Sequence, residues 1–119
     1  MNSNEKQIER IEKMTFSSVY PHYVQKIEKK NRTKDELHEV LEWFTNFNKK
    51  DIDQAIAEKW TFKDFFNKAK LNQNSHLITG SICGYKIEEI ENPLMQNVRK
   101  LDKLVDELAK GKKMEKILR

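Results

Sequence analysis

The stretch NPLMQNVRKLDKLVDELAK, residues 92–110, decides the fold of this chain. Asn92 is a favourable N-cap because its side-chain oxygen can accept a hydrogen bond from a free backbone N–H of the first turn. Pro93 suits the first helical position, where its missing N–H costs nothing. Gly111 follows the stretch and can adopt the left-handed conformation that ends a helix. The sequence therefore predicts a long helix here.

One face of this predicted helix carries apolar residues at alternating steps of four and three. They are Leu94, Val98, Leu101, Val105 and Leu108. A period of about 3.5 residues is typical both of coiled coils and of antiparallel bundles. This seam therefore predicts close helix packing, either in the core of one chain or between subunits. Lys103 with Glu107, and Asp106 with Lys110, are opposite charges four residues apart, and we expect both pairs on the helix surface.

Composition favours helices in the rest of the chain. The 119 residues are 35% charged and 37% hydrophobic, and they include only three glycines and two prolines. So few helix breakers indicate an all-α fold, a compact single-domain bundle of five to seven helices with a long C-terminal helix. No apolar run is long enough for a membrane span, and the polar N-terminus does not resemble a secretory signal. Cys83 has no second cysteine for an intrachain disulfide, so we expect a cytoplasmic protein.

Cap signatures divide the chain before this helix. Three pairs have the spacing of a capping box or its close relative: Thr33 with Glu36, Asn48 with Asp51, and Thr61 with Asp64. An earlier helix is expected to start at Ser17 or Ser18, with Pro21 in its first turn, and to end near Lys30. Asn4 is a weaker cap candidate for a helix before it.

Two regions are harder to assign. Residues 1–13 are predicted to form an N-terminal helical extension, mobile or docked on a partner, ahead of a single helical domain at residues 14–119. The run LITGSICGY, residues 77–85, combines Ile78, Ile82 and Tyr85 at helical spacing with two glycines. So short an apolar run does not separate a strand from a helix, and both stay open. Of the two, the spacing favours a tight, buried, partly helical segment.

Three blocks carry a resemblance to a known family. They are FSSVYPHYV at residues 16–24, ITGSICGY at residues 78–85, and EEIENPLMQNVRKLDKLVDELAKGKKMEKILR at residues 88–119. Together they resemble a family of small bacterial proteins that is defined only as a domain of unknown function. The resemblance extends over nearly the whole chain from about Met14. It implies a bacterial, cytosolic, stand-alone domain, and it implies no activity, cofactor or site.

The residues themselves suggest one candidate ligand site. Tyr20, His22, Tyr23 and Lys26 cluster at the start of the second predicted helix, where they are able to ring a small pocket or hold an anion. Arg99, on the long helix, is a candidate clamp for an acidic group. The competing interpretation is two core tyrosines with surface neighbours, and a structural ion network at Arg99.

Metal, cofactor and nucleic-acid sites are less favoured. His22, His38 and His76 lack the spacing of metal ligands on one helix, so we expect no metal and no cofactor. Cys83 lies between Gly80 and Gly84 without a local base, which favours a small buried residue over a nucleophile. Basic residues at Lys29, Lys30, Arg32, Lys112 and Lys113 would be the contacts for a nucleic acid. Runs of this size are usually solvated helix ends, so the sequence does not favour that partner.

The sequence supports two hypotheses of different classes. The first is a non-catalytic interaction protein that forms a homo-oligomer through the seam, with no membrane association. The alternative is a small-molecule-binding protein, or an enzyme of a kind that its motifs do not identify, with its pocket near Tyr20, His22, Tyr23 and Lys26.

Overall fold

The computed structural model describes residues 5–119 and confirms the all-α fold. Seven α-helices and one small hairpin follow one another along this part of the chain. They are α1 (Glu5–Lys13), α2 (Phe16–Glu28), α3 (Lys34–Thr45), α4 (Lys49–Ala57), α5 (Phe62–Lys68), β1 (Ser81–Ile82), β2 (Tyr85–Lys86), α6 (Pro93–Ala109) and α7 (Met114–Ile117). Short 3₁₀ turns lie at Ser75–Leu77 and Ile87–Glu89. None of the described helices is both long and apolar enough to cross a membrane.

Helix α6 is the centre of the fold, and its predicted ends are confirmed. The Asn92 side chain accepts a hydrogen bond from the Met95 N–H at 2.9 Å, with Pro93 in the first helical position. Gly111, at φ +85°, follows the last turn, and the Lys112 N–H donates to the Glu107 carbonyl. Around α6 pack α1, α2, α3, α5, α7 and the β-hairpin.

The predicted seam lies in the core of a single chain. Val98, Leu101, Val105 and Leu108 are buried, whereas Leu94 at the start of the helix is half-buried. Met95 and Leu104, which lie outside the seam, are fully buried as well. Because α6 is covered on several sides, its apolar face is wider than a coiled-coil stripe. Burial of a fully enclosed leucine such as Leu101 contributes about 1.5–3 kcal/mol to folding.

One of the two expected ion pairs on α6 is present. Lys110 Nζ lies 3.1 Å from the Asp106 carboxylate, as predicted. The pairing of Lys103 with Glu107 was wrong, because the two side chains face different neighbours. Lys103 donates to the Ser81 carbonyl at 3.1 Å, while the buried Glu107 carboxylate binds Lys112 at 3.3 Å and Arg119.

The predicted caps of the middle helices are confirmed. Thr33 with Glu36 and Asn48 with Asp51 form reciprocal capping boxes at the starts of α3 and α4. The Thr61 side chain accepts a hydrogen bond from the Asp64 N–H at 3.2 Å and so caps α5. The Asn4 cap lies outside the described residues.

Helix α2 begins earlier than predicted. Its N-cap is Thr15, whose hydroxyl accepts from the Ser18 N–H at 3.2 Å, so Pro21 lies within the helix rather than in its first turn. The cause is a contact distant in sequence: Thr15 forms a β-bridge with Thr61. In that bridge the Phe16 N–H donates to the Trp60 carbonyl at 2.9 Å, which fixes the entry to α2.

The interpretation of residues 77–85 as partly helical was wrong. Strands β1 and β2 form an antiparallel hairpin in which Ile82 pairs with Tyr85. Cys83 and Gly84 form its turn with φ values of +51° and +81°, the positive pair that a type I′ hairpin turn requires. Cys83 is consequently exposed, contrary to the buried position that we expected. Ile78 and Ile82 are both buried, which explains their misleading helical spacing.

Both ends of the described chain pack on the body of the protein. Helix α1 contacts α5 and α6, and its Ile11 lies against the core. Helix α7 packs on α6 and buries Ile117 completely. This short helix after Gly111 therefore closes over the bundle.

Candidate functional site

A buried polar network joins α2, α6 and the hairpin. The Tyr23 hydroxyl donates to Asp102 Oδ1 at 3.1 Å, and Arg99 Nη1 donates to Oδ2 of the same carboxylate at 3.1 Å. The Arg99 guanidinium lies over the Tyr85 ring, 4.6 Å from its centroid. The Tyr85 hydroxyl in turn accepts from Gln7 Nε2 at 2.6 Å. Four elements are thus connected through one carboxylate and one guanidinium.

Burial controls the electrostatics of this network. It raises the pKa of the Tyr23 phenol well above its ordinary value, and the adjacent Asp102 carboxylate raises that pKa further. Burial also raises the pKa of Asp102, although the hydrogen bond from Tyr23 and the charge of Arg99 oppose the shift. Both Asp102 oxygens are occupied and Tyr23 is only 8% exposed. The network is therefore positioned to hold helices together rather than to meet a ligand.

A groove between α2 and the end of α6 is accessible from solvent. It has a volume of about 560 Å³. Its lining residues are His22, Gln25, Lys26, Lys29 and Lys30 of α2 and the residues that follow it, and Asp106, Ala109 and Lys110 of α6 and its C-cap. The α2 side is one stripe because steps of three and four residues return to the same helix face. We call this feature the basic groove.

The basic groove holds four lysines and one aspartate. Asp106 lies 3.3 Å from Lys26 Nζ and 3.1 Å from Lys110 Nζ. Burial alone would raise the pKa of Asp106, but hydrogen bonds from Lys110 and Lys26 outweigh it and the pKa falls below its ordinary value. Lys29 and Lys30 have no ion-pair partner among residues 5–119. The groove therefore has a positive surplus.

Helix dipoles reduce this surplus without cancelling it. Tyr23 lies against Asp102, and Lys26 lies against Asp106, so α2 and α6 run parallel and both end at the groove. Each helix C-terminus carries a partial charge of about −0.5, so the two together offset about one lysine. With Asp106 offsetting another, a positive field remains for an anion.

A second cavity, of about 370 Å³, lies on the other side of α2. There the Tyr20 hydroxyl is 2.6 Å from His38 Nε2, and burial with the nearby Asp53 and Glu28 charges raises the pKa of Tyr20. The lining residues are Tyr20, Lys34, Asp35, His38, Glu42, Lys49 and Asp53. Its charges are mixed and nearly balanced, so it has no clear preference for a charged ligand.

The five residues of the predicted ligand site lie in three places. His22 and Lys26 line the basic groove. Tyr23 and Arg99 meet at Asp102, and Tyr20 faces His38 instead. Successive helical residues point about 100° apart, so adjacent positions in the sequence do not share one pocket.

The groove also contains residues that sequence reasoning did not join to His22 and Lys26. Lys29 and Lys30 were noted only as a basic run, Lys110 as the end of the long helix and the ion-pair partner of Asp106, and Ala109 only as part of that helix. Arg32, grouped with the basic residues, is engaged elsewhere: it donates to the Leu108 and Lys112 carbonyls at 3.2 and 2.9 Å. No group of three metal-ligating side chains occurs within the described residues.

Comparison with known proteins agrees with the resemblance seen in the sequence. The chain is similar to the crystal structure of uncharacterized protein SP1917, with a TM-score of 0.85 and 40% sequence identity over 92% of this chain and 90% of that chain. No match is found among curated proteins. A family model described as "uncharacterized protein conserved in bacteria (DUF2200)" matches residues 10–119. The chain belongs to this family of uncharacterized bacterial proteins.

Proposed function

We propose that this protein is a non-catalytic binding protein whose basic groove takes an anionic ligand. The observation that carries the proposal is the unbalanced charge of the groove, in which Lys29 and Lys30 lack an ion-pair partner among the described residues. The proposal combines the two sequence-based hypotheses. From the first it takes a non-catalytic interaction protein, and from the second a ligand site beside His22 and Lys26.

Self-association through the seam is not part of this proposal. Val98, Leu101, Val105 and Leu108 are buried within one chain, so a homo-oligomer would need a different surface. Self-association and a cytoplasmic location both stay predictions, and the solution mass of the intact chain tests the first.

Simple polyanions test the proposed function. Tripolyphosphate and citrate are added to the full chain while its thermal unfolding is followed by circular dichroism. A ligand that binds only the folded state at ten times its Kd stabilises it by about 1.4 kcal/mol. For a chain of this size that free energy raises the Tm by about 5 °C. The shift is expected to shrink as sodium chloride screens the lysines.

Matched charge variants locate the effect. Lys29→Gln with Lys30→Gln removes the two lysines without an ion pair and is expected to abolish the Tm shift. Lys13→Gln with Lys50→Gln removes two exposed lysines that do not line the groove, and the shift should persist. Equal shifts in both double variants would show that polyanions act on overall charge, and the proposal would be rejected.

A further inference from the structure

We infer that the occupant of the basic groove is an acidic, amphipathic helix of a partner protein. The inference rests on the proposed function, since it names the class of anionic ligand. Three properties of the groove support it: its shape, the chemistry of its floor and rim, and its lack of a stacking surface.

The shape matches a third helix. The stripe from His22 to Lys30 extends about 12 Å along α2, which is a little over two helical turns. The opposite wall is α6, parallel to α2, and Ala109 is the small residue between them. Helices pack at interaxial distances of about 8–10 Å. A third helix that lies in the groove between two parallel helices can pack against the side chains of both.

The chemistry matches an amphipathic partner with acidic flanks. The floor is the Ala109 methyl group together with the methylene stems of the lysines, which bury along apolar surfaces while their ammonium groups stay in water. Lys29 and Lys30 lie on one rim and Lys110 on the other. A helix with an apolar stripe between rows of aspartate or glutamate would satisfy both the floor and the rims, as in helix-in-groove recognition.

A nucleic acid fits less well. Single strands bind where bases stack on aromatic side chains next to cations. Among the residues that line the groove, His22 is the only one with a ring, and the nearby Tyr23 is buried and hydrogen-bonded to Asp102. Arg32, whose guanidinium could stack on a base, is held by two backbone carbonyls.

The test uses a synthetic helix as the probe. A fluorescein-labelled peptide of about five helical turns carries leucine along one face and glutamate on the others. A second peptide has the same composition in an order that scatters the leucines. Fluorescence anisotropy with the full chain is expected to give a Kd at least about tenfold lower for the amphipathic peptide. Equal affinity for both peptides would overturn the inference, since charge alone would then explain binding.

Filling the groove separates this inference from the proposed function. Ala109→Leu occupies the floor, and Gln25→Trp fills the groove from an exposed position that does not disturb the core. Both retain all four lysines, and a small polyanion binds the ammonium groups on the rims rather than the apolar floor. Both should therefore keep the tripolyphosphate shift while the amphipathic peptide, which needs the floor, loses about tenfold or more in affinity. Gln25→Trp provides the result if Ala109→Leu does not fold.

The remaining outcomes are equally distinct. If Gln25→Trp leaves both the peptide affinity and the tripolyphosphate shift unchanged, the inference of a helical occupant is overturned. The proposed anion site would then still hold. A labelled single-stranded oligonucleotide is tested in the same way. If it binds more tightly than the amphipathic peptide and competes with it, the occupant of the groove is a nucleic acid and the helix inference is overturned. Loss of response to every polyanion and peptide would reject the inference and the proposed function together.

Discussion

Leu101→Ala is the perturbation that most directly tests the position of α6 in the core. Leu101 has no exposed surface and lies in the middle of the central helix. The substitution removes apolar groups worth about 0.8 kcal/mol per methylene, and it leaves a cavity that adds to the loss. We expect the free energy of unfolding to fall by about 3 kcal/mol. A domain of this length has a total stability of about 6–18 kcal/mol, so the variant should remain folded.

The assay is urea unfolding followed by circular dichroism, at two protein concentrations that differ about a hundredfold. The midpoint should fall with an unchanged m-value, and it should not depend on concentration, because the seam packs within one chain. In a thermal scan the same loss lowers the Tm by about 12 °C. Leu94→Ala, at the half-buried end of the seam, is the matched control and should cost less than about 1 kcal/mol.

Two results would refute this reasoning. A loss below about 1 kcal/mol would mean that Leu101 is not closely packed. A midpoint that rises with protein concentration would mean that folding is coupled to association, and the seam would then contribute to a subunit interface.

Four other perturbations address the network, the hairpin, the tail and the groove. Burial already raises the pKa of Asp102 above 3.8, and Tyr23→Phe removes a hydrogen bond that lowers it. An NMR titration of the Asp102 carboxyl carbon should therefore show a further rise in this pKa. A fall in the pKa would contradict the geometry. In Gly84→Ala the added Cβ meets no atom within 4 Å, but alanine must adopt φ +81°. Thermal unfolding should therefore show that the free energy of unfolding falls by about 1–2 kcal/mol. Gly84→Asn should cost less, because asparagine tolerates the left-handed region better. Glu107→Gln weakens the ion pairs with Lys112 and Arg119. It should lower the free energy of unfolding by about 1–3 kcal/mol and speed amide exchange in residues 112–119. Glu115 is exposed, so Glu115→Gln should change neither quantity. Asp106 has a pKa below 3.8 in the folded state, so its stabilising contribution is present above pH 3.8 and is lost as the pH falls through the folded value. The stability difference between the wild type and Asp106→Asn should therefore be largest near neutral pH and shrink on acidification; a difference that grows in acid would exclude the ion pairs as its source.

Features with local causes were predictable from the sequence. The caps at Thr33, Asn48 and Asn92 depend on side chains within three residues of the groups that they satisfy, so their spacing alone identifies them. The same holds for Gly111, since a helix end needs only one residue with a left-handed backbone. These signals were sufficient for the all-α class and for the position of the long helix.

Features with distant causes were not predictable. The start of α2 depends on the pairing of Thr15 with Thr61, which no nearby residue indicates. The basic groove joins Lys29 and Lys30 to Lys110, which lies on an element far along the sequence. The hairpin turn was missed because Cys83, a residue with no preference for positive φ, takes the first of its two turn positions.

The parallel arrangement of α2 and α6 has a consequence for how the chain folds during its synthesis. The two helices meet through contacts such as Tyr23 with Asp102, 79 residues apart. Folding rates fall as the contacting residues lie further apart in the sequence, so this bundle should fold more slowly than one built from neighbouring helices. The apolar face of α2 has no α6 to cover it until the ribosome has made α6. Until then the nascent chain exposes the surface that invites aggregation, and it is at this stage that a chaperone would recognise it.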